Sequence, residues 1–330
     1  MLRVSRTILL SIFLLSCLHQ FPKNLDTVDK IAFQGRNGIY ITDLNGEIKR
    51  ITFNNYDYLQ GWLPNGNGII YLSIRRDTWG DGKVDITYDS PDLLCLDLIK
   101  GKEEVIMLHQ PMDGFEISLN TFIAVTETVF LYDDHNFYFK LFEAKKFVRE
   151  NLLYVRNIGL RRIYHLAYCS GKKIIVFTGI DSLRYTMAHA KRPIDTELEE
   201  NSKEIYRINL DMTGFQRLTY NDWCDDDPAI SPDGKYIAFA SNRDGDFDIY
   251  IMDINGKNIR QLTHNDVDDR RPTWSPDGKW IAYDSRPWLY REIWIMSADG
   301  SGQRPLVQIS GSDCYNPRWS PKKSGGNDGD

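Results

Sequence analysis

The side chains with the most chemistry fall in three kinds of stretch. Residues 77–89 read DTWGDGKVDITYD. Asp77, Asp81 and Asp85 occupy positions 1, 5 and 9 of a twelve-residue calcium-binding loop, Gly82 takes the sharp turn at position 6, and Lys83 offers its carbonyl at position 7. Trp79 stands where an oxygen ligand belongs at position 3, and Tyr88 replaces the bidentate acid at position 12, with Asp89 as the substitute one residue on. Two readings stay open: Ca2+ that stiffens the loop and neutralises its carboxylates, or a solvated acidic hairpin.

The second kind is the acidic run, YNDWCDDD at 220–227 and HNDVDDR at 264–270, with GSDCYN at 311–316. Asp222, Asp225, Asp226, Asp266 and Asp268 lie among Trp223, Trp288, Tyr290 and Tyr315. Aromatics inside a charged rim suit protein recognition. Asp227 and Asp269, last in their runs, are expected to cap the backbone of their own loops, as short Asp side chains do in turns. The third kind is histidine. His109, His165 and His264 fall in or near connections of one type, but no pair stands at metal-ligand spacing and no nucleophile is paired with a base. The expectation is a non-enzymatic binding protein; the alternative is a carbohydrate-active lyase or hydrolase. Cys95, Cys169, Cys224 and Cys314 match no zinc pattern.

The elements that must position these residues are set by an internal repeat. The chain of 330 residues is 42% hydrophobic and 26% charged, which is globular composition. A net charge of -6 without a basic run argues against nucleic acid as a partner. SPDGKYIAF begins at Ser231, SPDGKWIAY at Ser275, and a final SP at Ser320. The unit around Ser231 parses into four strands: one ending AIS, the turn PDGK, YIAFAS, the loop NRDGDF, DIYIMD, the turn INGK, and IRQLT. In YIAFAS the large residues Ile237 and Phe239 point one way and Ala238 and Ala240 the other. Both faces are apolar, so each sheet is predicted to be sandwiched between two others, which is the packing of a β-propeller.

The segment NPRWSP at 316–321 is a first strand with nothing after it, and residues 30–52 supply the three remaining strands with no first one before them. Together they complete one unit. The predicted fold is all-β, a six-bladed β-propeller closed by N- and C-terminal strands sharing one blade, with blades near 57–108, 113–155, 160–219, 226–263 and 270–309 and the split one. Its long loops gather on one face, including 74–92, 181–203, RPWLYR and the acidic runs. The PDGK and Asn-Gly turns clip the other face short.

Residues 1–17, MLRVSRTILLSIFLLSC, give a positive start, a short apolar run and a small residue before Cys17, a secretory signal pattern. LLSC resembles the lipobox of bacterial lipoproteins. That resemblance implies a signal peptide at 1–16, lipidation at Cys17 with a tether through 28, a propeller over 29–321 and a flexible tail at 322–330. Leu18 after the Cys implies the outer membrane. The phrase P-x-W-S-P-D-G-K-x-I-A with I-Y-x-M-D-x-x-G and Q-L-T resembles the propeller repeats of TolB, strongly over 204–321 and 30–52. It implies a monomeric, periplasmic-side propeller that binds a protein partner of the cell envelope and touches the membrane through lipid alone; TolB carries an additional α/β domain before its propeller, and the short stretch 17–28 here is expected to leave no room for it.

Overall fold

The computed structural model describes residues 29–321 apart from 64–65, 76–91, 108–113, 119–120, 130–134, 144–145, 156–159, 170, 182–202 and 212, and for the strands between 114 and 155 it gives the backbone alone. The calcium-loop residues Asp77, Asp81, Lys83, Asp85 and Asp89, and Cys17 with its signal segment, lie outside the described residues. So do His109 and the tail.

Among the described residues all regular secondary structure is strand. The first three are β1 (Ile31–Gly35), β2 (Gly38–Thr42) and β3 (Ile48–Arg50). Next come β4 (Asp57–Trp62), β5 (Gly68–Ser73), β6 (Asp92–Asp97) and β7 (Lys102–Met107), then β8 (Gly114–Ser118), β9 (Thr121–Val129), β10 (His135–Glu143) and β11 (Lys146–Val155). They are followed by β12 (Leu160–Cys169), β13 (Ile174–Asp181), β14 (Lys203–Asn209) and β15 (Gln216–Arg217). The repeats supply β16 (Asp225–Ile230), β17 (Tyr236–Ser241), β18 (Asp248–Asp253) and β19 (Arg260–Gln261), and β20 (Asp269–Trp274), β21 (Trp280–Ser285), β22 (Glu292–Ser297) and β23 (Arg304–Val307), before β24 (Cys314–Trp319) ends the series. They form six four-stranded antiparallel meanders, one of which runs β24-β1-β2-β3. The first strand of each sheet touches that of the next, from β24 through β4, β8, β12, β16 and β20 back to β24. This closed ring of inner strands is a β-propeller.

The repeated phrase has a local cause. Ser231 N donates to the carbonyl of Tyr236 at 2.9 Å, Tyr236 N donates to Ser231 Oγ at 2.9 Å, and Gly234 N donates to the Ser231 carbonyl at 2.8 Å. Asp233 Oδ1 accepts the Ser231 hydroxyl at 2.7 Å. Gly234 sits at φ 67°, where a Cβ is strained. Ser275 and Trp280 repeat these bonds at 2.9 Å each. At the closure there is no turn, yet Ser320 N donates to the Lys30 carbonyl at 2.8 Å and Lys30 N donates to Ser320 Oγ at 3.1 Å. β1 and β24 then pair from Ile31–Trp319 to Gly35–Cys314.

The two apolar faces of each sheet pack as the alternation requires. Ile237 and Phe239 join Val176, Ile205 and Leu218 of the preceding sheet, while Ala238 lies with Trp274, Ile281 and Tyr283 of the following one. Each buried Ile or Phe contributes roughly 1.5–3 kcal/mol. A tryptophan ending the inner strand also stitches neighbours in two sheets: Trp274, before Ser-Pro, donates through Nε1 to the Ala229 carbonyl at 3.1 Å, and Trp62, before Leu-Pro, donates through Nε1 to the Arg318 carbonyl at 2.9 Å.

Candidate functional site: the loop face and the channel mouth

Three of the connections that enter inner strands, those before β4, β16 and β20, share a polar frame. Thr52, Thr219 and Thr263 accept through Oγ1 from the backbone N–H of Ile39, Ile205 and Ile249 at 2.9–3.0 Å. Two residues on, Asn221 donates to Asp225 Oδ2 at 2.7 Å and Asn265 donates to Asp269 Oδ2 at 2.8 Å. Asp225 and Asp269 are therefore equivalent, and both are buried. Asp225 also receives Arg243 Nη2 at 2.8 Å.

This corrects two expectations. Asp225 and Asp226 are core groups, not members of an open recognition surface. Asp227 is not the loop cap either; Asp225 fills that place, and Asp269 fills it in the next repeat. Counting back from Ser-Pro resolves the run of three acids, since Asp225, Asp269 and Cys314 each stand six residues before the Ser.

Asp227 has a different role. The ladder between β16 and β17 shifts register between Asp226 and Ala229, leaving Asp227 in a bulge at φ 53°. Arg271 (φ 53°) and Asn316 (φ 54°) occupy the same bulge in β20 and β24, each directly before a proline, and His165 (φ 39°) bulges β12. Four of the six inner strands, β12, β16, β20 and β24, thus present one out-of-register polar residue each: His165, Asp227, Arg271 and Asn316. None of His165's partners was foreseen, because its own strand lacks the Ser-Pro phrase.

Around these bulges the charges interlock. His165 Nδ1 lies 2.7 Å from Asp226 Oδ1 and 3.1 Å from Asp227 Oδ1, and Lys203 Nζ is 2.9 Å from Asp226 Oδ2. Burial opposes charge on Asp226, but His165 and Lys203 outweigh it and hold the carboxyl well below its usual range. Partial desolvation opposes charge on the half-exposed His165, and Asp226 and Asp227 outweigh it and raise its pKa. One sheet further, the fully buried Asp284 receives Arg291 at 2.8 Å, Arg271 at 3.2 Å and the backbone N–H of Asn316 at 3.1 Å. Among the described residues, His165, Asp226 and Asp227 are the group whose ligand atoms all lie within 4.8 Å of one another, the spacing a metal ion requires.

The aromatics stand outside this ring. Trp288 is 80% exposed, Leu289 69% and Tyr290 39%, three neighbours at one loop tip. Leu289 was not singled out in the sequence. Tyr290 lines a cleft of about 440 Å³ with Tyr58, Tyr315, Arg36, Asn55 and Asp313. Tyr315 is half-buried, with the Arg271 guanidinium 5.6 Å from its ring centre. Trp223 is half-exposed, and its N–H donates to Asn221. Asp222 and Asp266 are exposed at their loop tips, and Asp268 is half-buried, accepting from Phe247 N at 3.4 Å. His264 is exposed and apart from the His165 group. The four cysteines Cys95, Cys169, Cys224 and Cys314 are free thiols.

A ring of meanders sealed by its two ends, with charged bulges about the axis and aromatics on one face, defines a β-propeller. Residues 199–323 match the TolB beta propeller domain family. The structure of TolB from Acinetobacter baumannii is similar at a TM-score of 0.65 and 21% identity, over 90% of this chain and 68% of that one. Putative TolB from Agrobacterium tumefaciens gives 0.59 and 16%, over 89% and 99%. Oligogalacturonate lyase from Vibrio parahaemolyticus gives 0.51 and 11%, over 85% and 74%. Among curated protein sequences none matches. Residues 199–323 thus carry repeats of the TolB propeller family, and the fold of the chain is similar to that of TolB propellers.

Proposed function

We propose that this chain is a six-bladed, lipid-anchored monomer of the bacterial envelope, held at the outer membrane through Cys17, and that it acts as a non-enzymatic scaffold whose loop face binds a protein. The observation that carries this reading is the exposed trio Trp288, Leu289 and Tyr290 beside the tyrosine-lined cleft. Contiguous exposed aromatics mark interaction surfaces, and Trp, Tyr and Arg dominate binding energy there. Lys30 and Ser320 both lie at the short-turn face, where they take the place of a Pro-Asp-Gly-Lys turn. A tether leaving from that face would turn the aromatic loops away from the membrane, toward partners.

The test is affinity capture from envelope membranes with the full chain and with a Trp288→Ala, Tyr290→Ala double variant. A partner held by the wild type is expected to be lost about tenfold or more from the variant. Equal capture by both proteins would sink the assignment. Asp225 and Asp226 are unsuited to this test, because substitution there reports on the core.

The His165 group at the axis favours a second reading, a lyase acting on an acidic saccharide, as the name of one similar structure would suggest. Incubation with oligogalacturonate decides between them. The scaffold reading expects no unsaturated product; turnover that disappears in His165→Ala would replace it.

A further inference from the structure

We propose that His165, Asp226 and Asp227 form a site for one divalent transition-metal ion, facing the channel between the β12 and β16 strands. The proposal does not depend on the partner-binding face or on any enzymatic activity.

Asp227 is only 6% exposed and held in a bulge, and its carboxylate accepts no hydrogen bond from any described residue apart from its approach to His165. Asp226 is well supplied, since Lys203 takes Oδ2 and His165 approaches Oδ1. A single Nδ1–H faces both Asp226 at 2.7 Å and Asp227 at 3.1 Å, and one hydrogen cannot point at two acceptors well. Nearby Arg271 is engaged with Asp284 and does not reach Asp227 as a hydrogen-bond donor. Two neighbouring carboxylates thus compete for one imidazole proton.

A metal ion in place of the Nδ1 proton meets the demand of all three groups. Zn2+ and its neighbours bind imidazole nitrogen and carboxylate oxygen at about 2.0–2.2 Å, which sets adjacent donor atoms roughly 3 Å apart. The observed 2.7 and 3.1 Å are hydrogen-bonded contacts slightly tighter than that spacing, so the three groups need to open by only a few tenths of an ångström to admit the ion. The proton leaves to solvent as the ion enters. Lys203 then serves as a positioning residue, orienting Asp226 through its outer oxygen in the way that bound carboxylates are commonly supported. His165 is 45% exposed, so ion and water have access and coordination positions stay open. One nitrogen with two oxygens selects Zn2+ over Ca2+ and Mg2+, which prefer oxygen alone.

Calorimetric titration of the EDTA-stripped, dialysed full chain with ZnCl2 tests the site, with CaCl2 as a second arm. The wild type is expected to bind one Zn2+ that His165→Ala and Asp227→Asn each weaken by tenfold or more, about the loss expected of a removed ligand. A variant carrying Asp81→Asn and Asp85→Asn keeps that ion, which separates it from the acidic loop at 77–89. Melting in EDTA supplies a reading independent of the ion: Asp227→Asn is expected to melt at or above the wild-type temperature, because it removes an undercompensated charge. No Zn2+ binding, binding unchanged in both axial variants, preference for Ca2+, or a marked fall in the ion-free melting temperature of Asp227→Asn would each overturn the proposal.

Discussion

The sheets β16–β19 and β20–β23 come from nearly the same sentence, and their backbones obey it alike. Both turn on Ser-Pro-Asp-Gly-Lys, both bulge three residues into the inner strand, and both frame the entering loop with Thr or Asn and Asp. Their side chains at matched positions are opposed. Asp226 and Asp227 in one stand where Arg270 and Arg271 stand in the other, and Ala240 stands where Asp284 does. The repeat dictates where a polar group will meet the axis and leaves its charge free. Chemistry at the channel is thus written at a few bulge positions that the fold does not need for itself.

Substitutions that make one sheet more like the other probe this directly. The largest effect is expected from Asp284→Ala, which copies the residue of the neighbouring sheet. It strands Arg271 and Arg291, and should cost about 3 kcal/mol in urea unfolding. If the loss is negligible, these buried ion pairs are not what steadies the β20–β23 sheet.

Asp225 and Asp269 make a matched pair with opposite expectations. Asp225 has Arg243 at 2.8 Å; the residue matched to Arg243 in the next sheet is Pro287, so Asp269 has its Asn265 and no arginine from that position. Asp225→Ala should destabilise by about 2 kcal/mol. Burial pushes the Asp269 carboxyl up to about 6, above the unfolded value, so the folded state binds a proton more tightly than the unfolded one. Stability from this group is full below about pH 4 and is lost as pH rises through about 6. Asp269→Asn should therefore match the wild type at pH 4 and exceed it by about 1 kcal/mol at pH 8. A variant that is weaker at both pH values would contradict the assignment.

Smaller effects follow at the tryptophans. Trp274→Phe keeps the ring but loses the indole bond to Ala229, and should cost about 1 kcal/mol in thermal unfolding. Trp288→Ala, at a loop tip with its ring in solvent, should move stability by less than about 0.5 kcal/mol. A larger loss there would mean the trio packs on its own scaffold and is not a free surface.

The architecture was open to reading because its determinants are local. Gly234 needs a positive φ, Ser231 needs the turn's N–H groups, and the alternation of Ile237 with Ala238 sets both packing faces. The split unit at the two ends was readable for the same reason. The site was readable only in part. Trp288, Tyr290 and Tyr315 could be placed on a face by loop position alone. Asp225, Asp226 and Asp227 could not be told apart by type, and only their distance from Ser-Pro separates a loop frame from an axial bulge. The meeting of Lys203 with Asp226 follows from β14 running beside β13, and no local pattern in the sequence announces it.

The bonds between Ser320 and Lys30 have a consequence for topology. They reproduce, across a gap in the chain, what Ser231 and Tyr236 do across four residues of turn. A Pro-Asp-Gly-Lys splice between these two residues should make the polypeptide a covalent circle, and cutting that circle at any other such turn should yield a permutant that folds to the same ring.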